Sequence, residues 1–287
     1  MNYGNVIMKS FFYVVILLAV ATVFFATGCT EKPVTGNDTI ADSISADTLE
    51  ADTLETILEA APVPKAADGL FDDFLFNFAA NRKLQYSRIV FPLLADYFGQ
   101  ETHIERKEWK MEHFFMRQGF YTLVAGTSEE LYASKDKKVS QAVVEKVMFS
   151  DHCVMQYVFR RVEGQWFMQE LRKQRLADNV NGTFYAFYNK FVSDSLYRQE
   201  SLAENVEFSG PDPDDDFSRI EGSIMPEQFS MFVPEIPHGT IFNVVYGEPK
   251  PMPDQRVLVV RGVSNGFEIE MTFQKLHGRF MLTALST

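Results

Sequence analysis

"RVEGQWFMQEL", Arg161–Leu171, and "KLHGRFMLTAL", Lys275–Leu285, carry one pattern twice. In each, a glycine (Gly164 or Gly278) separates the end of one apolar run from the start of another. Glycine takes positive φ at little steric cost, so both stretches read as a tight turn followed by the last strand of a folding unit. Phe159, Gly164, Trp166, Phe167, Met168 and Leu171 map onto Phe273, Gly278, Phe280, Met281, Leu282 and Leu285 at an offset of 114, and Tyr132 and Tyr246 obey it too.

The starts of the two units also match. From Leu70 the chain places Leu70, Phe71, Phe74, Leu75 and Phe78 at helical spacing, with Asp72, Asp73 and Asn77 on the remaining face. Asp68 stands where a cap is expected. "TFYAFYNKFVSDSLYRQ", Thr183–Gln199, repeats the spacing behind Thr183, and Phe71, Phe74 and Phe78 map onto Phe184, Phe187 and Phe191 at an offset of 113. A drift of one residue between the offsets of 113 and 114 predicts a duplicated domain, not a short-period solenoid.

Between these landmarks each half reads as strand. "GFEIEMTFQKL" alternates Phe267, Ile269, Met271 and Phe273 against Glu268, Glu270, Thr272 and Gln274, as a half-buried strand does. "TIFNVVYG" and "RVLVVRGV" precede it across the proline-rich "EPKPMPD"; "TLVAG", "AVVEKVMF" and "CVMQYVFRRV" are their first-half counterparts. The prediction is an α+β chain of two tandem cone-shaped domains, 69–177 and 178–287, each with helices packed on a curved antiparallel sheet.

The apolar run Phe11–Thr27, preceded by Lys9 and followed by "ATGC", reads as a secretory signal over residues 1–28. Small residues before Cys29 resemble the lipobox of bacterial lipoproteins, which implies acylation of Cys29 and attachment to a lipid bilayer in the cell envelope, at the periplasmic face or outer membrane. Residues 29–68 hold nine acidic residues after Cys29, two lysines, no aromatic residue and the pentapeptide "ADTLE" twice, the composition of a flexible tether. With Cys29 lipidated, Cys153 has no disulfide partner and reads as a small buried apolar side chain.

An aromatic-rich first helix, a terminal glycine hairpin and a length near a hundred residues per half resemble the cone-shaped fold of nuclear transport factor 2. The tandem arrangement behind a lipobox is similar to a family of Bacteroidetes lipoproteins. That resemblance implies a cone able to hold a small molecule, as in relatives that are isomerases or dehydratases and in others that only bind.

Candidate residues for such a cone lie in the first half. Tyr157 belongs to the inward-facing set of its strand, and Tyr132, Trp109 and His113 are candidate ligand-binding residues with it. "WKMEH" spaces Trp109 and His113 four apart, which would share a helical face. No catalytic residue is assigned. Asp212, Asp214 and Asp216 are spaced as in a calcium loop, but Phe217 stands where glycine is needed and Ser223 where a closing glutamate is needed, so no metal is expected, and no cofactor.

The first half, 71–176, has 16 basic and 14 acidic residues, and the second has 8 and 16. Its basic residues form no interleaved aromatic platform, which argues against nucleic acid. Three functional readings follow: a non-catalytic module for a small apolar ligand or an envelope protein, an isomerase or dehydratase using the first cone, or a structural envelope component.

Overall fold

The computed structural model describes residues 67–212, 214–233, 236–248, 250, 254–263 and 265–287. The signal, Cys29 and nearly all of the tether lie outside them. Among the described residues no helix is long and apolar enough to cross a membrane.

The first half runs α1 (Phe71–Ala80), α2 (Arg82–Ser87), β1 (Ile89–Tyr97), β2 (Gln100–Ile104), β3 (Phe120–Ala125), β4 (Gln141–Met148), β5 (Cys153–Val162) and β6 (Gln165–Arg175). The second runs α3 (Gly182–Ser193), α4 (Ser195–Glu200), β7 (Leu202–Asp212), β8 (Asp215–Ile224), α5 (Phe229–Phe232), β9 (Thr240–Tyr246), β10 (Gln255–Gly262), β11 (Glu268–Leu276) and β12 (Arg279–Ser286). The expected turns are present: Glu163 and Gly164 have φ of 49° and 81°, and His277 and Gly278 have 50° and 84°. Positive φ at both central residues matches the twist of a two-residue hairpin.

All twelve strands form one sheet, in the order β2-β1-β6-β5-β4-β9-β3-β10-β11-β12-β7-β8. This corrects the expectation of two separate antiparallel sheets. Read inward from either edge, the two orders match with six added, except that β3 and β9 stand in each other's places. Each half lends its third strand to the other. The sheet is also mixed, because β1 lies parallel to β6, β7 to β12 and β3 to β9. The strand after the helices returns beside the last strand of its half, and that return fixes its direction.

The exchange explains why the central strands do not alternate between apolar and polar. Val257 and Val259 of β10 enter one core while Leu258 and Val260 enter another, and β9 divides Phe242 and Val244 from Ile241 in the same way. Successive strand residues point to opposite faces, so the cores lie on opposite sides of the sheet. A strand buried on both faces reads as a continuous apolar run.

The helices pack equivalently on these two faces. Phe71 meets Phe159 and Trp166 at ring-centroid distances of 5.2 and 4.9 Å, and Phe184 meets Phe273 and Phe280 at 5.4 and 5.5 Å. Phe78 and Phe191 approach Phe159 and Phe273 edge-on at 5.2 and 5.3 Å. A bulge stands at Val158/Phe159 and another at Thr272/Phe273, at equivalent places in the two halves. Ile269, Met271 and Phe273 are buried as expected, but Phe267, just before the strand, is exposed. Cys153 is a buried free thiol.

Neither expected cap forms. Asp68 instead makes a two-pronged ion pair with Arg88, both contacts at 2.9 Å, and accepts from the Trp166 backbone N–H at 3.0 Å. Thr183, which stands at the expected cap of the second helix, lies inside α3, which begins at Gly182, where a β-carbon would stand 2.1 Å from the Leu176 carbonyl oxygen.

Phe159→Ala and Phe273→Ala are each expected to cost about 3–5 kcal/mol in urea denaturation, as for other large-to-small core changes. The two rings share no core, so the losses should add to within about 0.5 kcal/mol in the double variant.

Candidate functional site

Residues 105–113 form no helix, so Trp109 and His113 do not share a helical face. The reason is the buried side chain of Gln85 on α2. Its amide oxygen accepts from Trp109 Nε1 at 2.9 Å and the Glu112 N–H at 3.0 Å, and its amide nitrogen donates to the Glu112 carbonyl at 2.9 Å. With its backbone groups taken by Gln85, Glu112 is held in an irregular loop. Phe114 follows with φ of 48°, an uncommon value for a bulky residue, and this turns its ring onto Tyr157 at 4.8 Å.

That loop aims Glu112 at the sheet. Glu112 Oε2 accepts from the Tyr157 hydroxyl at 2.9 Å and from Lys146 Nζ at 3.0 Å, while Oε1 accepts from the Phe114 N–H at 3.2 Å. The Lys146 ammonium also lies 5.5 Å from the centre of the Phe242 ring, within cation–π reach. The Glu112 and Lys146 side chains keep 23% and 28% of their exposure, so this cluster opens to solvent at the rim of an aromatic core. Burial, reinforced by the Glu112 charge, pushes the Tyr157 phenol well above its ordinary pKa, so it acts as a donor.

The four sequence candidates part company here. Tyr157 is at the cluster and Trp109 is buried beneath its loop. His113 is half-buried and gives its carbonyl to the Met116 N–H. Tyr132 is 66% exposed on the 3-10 turn Glu129–Lys135, outside the first-half core. Its match with Tyr246 is therefore a coincidence of spacing, since Tyr246 ends β9.

A second cluster went unrecognised in the sequence. Asp72, in the first turn of α1, accepts from the hydroxyls of Tyr246 on β9 and of Tyr121 on β3, the latter at 3.3 Å. Burial raises the Asp72 pKa, against the opposing pull of the Tyr246 hydrogen bond and the Arg261 charge. Tyr121 is pushed up to about 12 by burial and the Asp72 charge. The helical pattern placed Asp72 on a solvent face, and only the exchanged strands bring the phenols over it.

A third carboxylate is fully enclosed. Glu145 on β4 accepts from Tyr185 at 2.6 Å, Asn179 at 2.6 Å, Gln156 at 2.9 Å and Asn243 at 3.2 Å. Among the described residues no lysine or arginine pairs with it. Four neutral donors hold the site together, and its sealed position makes it structural.

Residues 50–287 match the family described as Domain of unknown function (DUF4348). The chain belongs to this family. The structure is also similar to a crystal structure of an NTF2-like protein from Bacteroides fragilis NCTC 9343, with 30% identity, a TM-score of 0.71, and coverage of 78% of this chain and 98% of that one. Among curated proteins there is no match. This DUF4348 chain thus has an NTF2-like fold, a curved sheet carrying helices, with strand as its main component.

Two substitutions separate the clusters of the DUF4348 domain. Glu145→Ala strands several buried donors and should cost at least about 3 kcal/mol in chemical denaturation. For Asp72, a raised folded-state pKa means that the protonated acid favours folding, and that contribution is lost as pH rises above the usual 3.8. The thermal midpoint of Asp72→Asn relative to the unsubstituted chain should therefore climb between pH 4 and pH 7. A relative midpoint that falls over this range would mean that the phenol hydrogen bonds outweigh burial.

Proposed function

We propose that this chain is a cell-envelope lipoprotein, anchored through acylated Cys29, whose two tandem cone-shaped domains serve as a non-catalytic binding module. The ligand is a small, largely apolar molecule with one hydrogen-bond acceptor, received at the rim formed by Glu112, Lys146 and Tyr157. The tandem reading rests on the matched aromatic contacts at offsets of 113 and 114 and on the sheet order that repeats with six strands added. The anchor rests on the sequence around Cys29.

One observation carries the binding reading: of the three tyrosine–carboxylate clusters, the Glu112 cluster joins a partly exposed ion pair to an aromatic core. Lys146 has three donor hydrogens, and the hydrogen bond to Glu112 uses one. The Glu112 oxygens are occupied by Lys146, Tyr157 and Phe114, which suits a fixed acceptor better than a mobile base.

An isomerase or dehydratase reading has one observation behind it, the raised pKa of Asp72 beneath two phenols. Perturbed acids of this kind mark catalytic sites as well as structural ones.

Native mass spectrometry of the chain after exposure to an envelope extract tests the binding reading. The expected result is a small molecule at one copy per chain, lost in Lys146→Met with the fold intact. Retention of the same molecule by Lys146→Met would move the site elsewhere. For the anchor, labelling with a fatty-acid analogue should mark the native chain and leave Cys29→Ser unmarked.

A further inference from the structure

The two ends of the sheet occupy matching places in the two halves and are unequal in length. One end is β2, Gln100–Ile104, with five residues, and the other is β8, Asp215–Ile224, with ten. Among the described residues β8 pairs only with β7, so its outer side presents a row of unbonded backbone N–H and C=O groups. Short edge strands limit such exposure, and β8 is not short. Proline, which would interrupt pairing, is absent from 215–224.

Along this edge one face is charged and the other apolar. Arg219 and Glu221 are two residues apart and share the charged face. Arg219 leans back over the sheet: Nε donates to Ser209 Oγ at 3.2 Å, and Nη2 donates to Ser286 Oγ and the Thr287 carbonyl, both at 2.9 Å. Among the described residues nothing engages its Nη1, and Glu221 has no ion-pair partner. On the opposite face Ile220 is 40% exposed. Phe208, paired with Gly222 on that face, meets the exposed Phe232 ring at 5.1 Å, so an apolar strip runs out to the edge.

A strand added here must set its outward-facing backbone groups against those of β8. Such groups alternate along an antiparallel strand, so the permitted registers differ by two residues. A second copy of β8 centred on Ile220 meets this requirement. It sets Ile220 against Ile220, Ser218 against Gly222, and Arg219 of each copy against Glu221 of the other. Slipping by two residues in either direction would instead oppose Arg219 to Arg219 or Glu221 to Glu221. Opposite charges on facing residues attract and like charges repel, so the edge is complementary to itself in one of these registers. The second half, with 8 basic and 16 acidic residues, resists a less specific approach of two copies.

We propose that β8 is the contact edge of a two-fold dimer, in which β8 of one copy pairs antiparallel with β8 of a second about Ile220 and the two sheets become continuous. Reciprocal Arg219–Glu221 pairs set the register on one face, and the two Ile220 side chains meet on the other. A self-complementary contact of this kind closes on itself and stops at two copies. It lies at the far end of the sheet order from β1 and β2, uses none of the Glu112 rim, and stands whether or not that rim binds a ligand.

Sedimentation equilibrium of the full chain in a density-matched neutral detergent tests the dimer, with circular dichroism as the check on folding. The chain should pass from monomer to dimer as concentration rises. Arg219→Glu turns two attractive pairs into repulsive ones and should raise the dimer dissociation constant by about tenfold or more. Adding Glu221→Arg to that variant should reverse most of the loss, which a mere absence of the Arg219 bonds to Ser209 and Ser286 would not allow. Ile220→Cys should give a covalent dimer on mild oxidation, because directly facing residues lie within disulfide range, and Ser218→Cys should not. A chain that stays monomeric through the micromolar range, which would leave the edge to a strand of another protein, overturns the proposal. So does a double variant no tighter than Arg219→Glu, or cross-linking no greater at Ile220→Cys than at Ser218→Cys.

Discussion

A row of residues across the middle of the sheet, Gln156, Glu145, Asn243 and Thr122, joins β5, β4, β9 and β3 at paired register positions. Glu145 is the centre of that row. It accepts from its two neighbours in the row and from Asn179 and Tyr185, so one carboxylate fixes the lent strand β9, the native strand β4 and the start of α3 together. A buried carboxylate without a cation is tolerated only when donors satisfy it, and here four do. Backbone ladders hold β9 beside β4 and β3 beside β10, and this row joins the two across the seam.

Part of the chemistry follows from the exchange. Because β9 lies in the first half's part of the sheet, Phe242 comes under Lys146 and Tyr246 reaches Asp72. Because β3 lies beside β10, Tyr121 arrives over the same carboxylate from the other side. The seam between the two lent strands pairs at one rung, and a cavity of about 180 Å³ opens there. The exchange thus builds the Asp72 cluster outright and supplies one ring to the Glu112 cluster.

The tyrosines show how enclosure sorts these sites. Tyr157, Tyr185 and Tyr246 are each buried against a carboxylate and are each pushed well above the ordinary phenol value, burial being the largest cause. Each is therefore a donor at neutral pH. What differs is the carboxylate: Glu145 is sealed, Asp72 is lifted by burial, and Glu112 is paired with a lysine at the surface. That gradation is the basis for proposing a binding role at Glu112 and a structural one at Glu145.

The repeated aromatic helices, the glycine hairpins and the strands β3 to β6 and β9 to β12 were legible because each is written in local periodicity, which depends on neighbours three or four residues away along a helix and two away along a strand; β1, β2, β7 and β8 were not. The burial of Cys153 and Tyr157 was legible for the same reason. The caps were not, since Asp68 is claimed by Arg88 from outside its own helix, and the loop at Trp109 was not, since Gln85 takes its backbone groups from a different element. Nor did the sequence contain any sign that β3 and β9 change places: pairing of either strand with either neighbour buries similar apolar residues, and the choice is made by contacts between distant residues such as Glu145 with Asn243 and Thr122 with the Phe242 carbonyl. The sequence by itself determined the elements and their duplication signals. The tertiary structure decided which half each central strand serves, and with it where the carboxylates and the phenols meet.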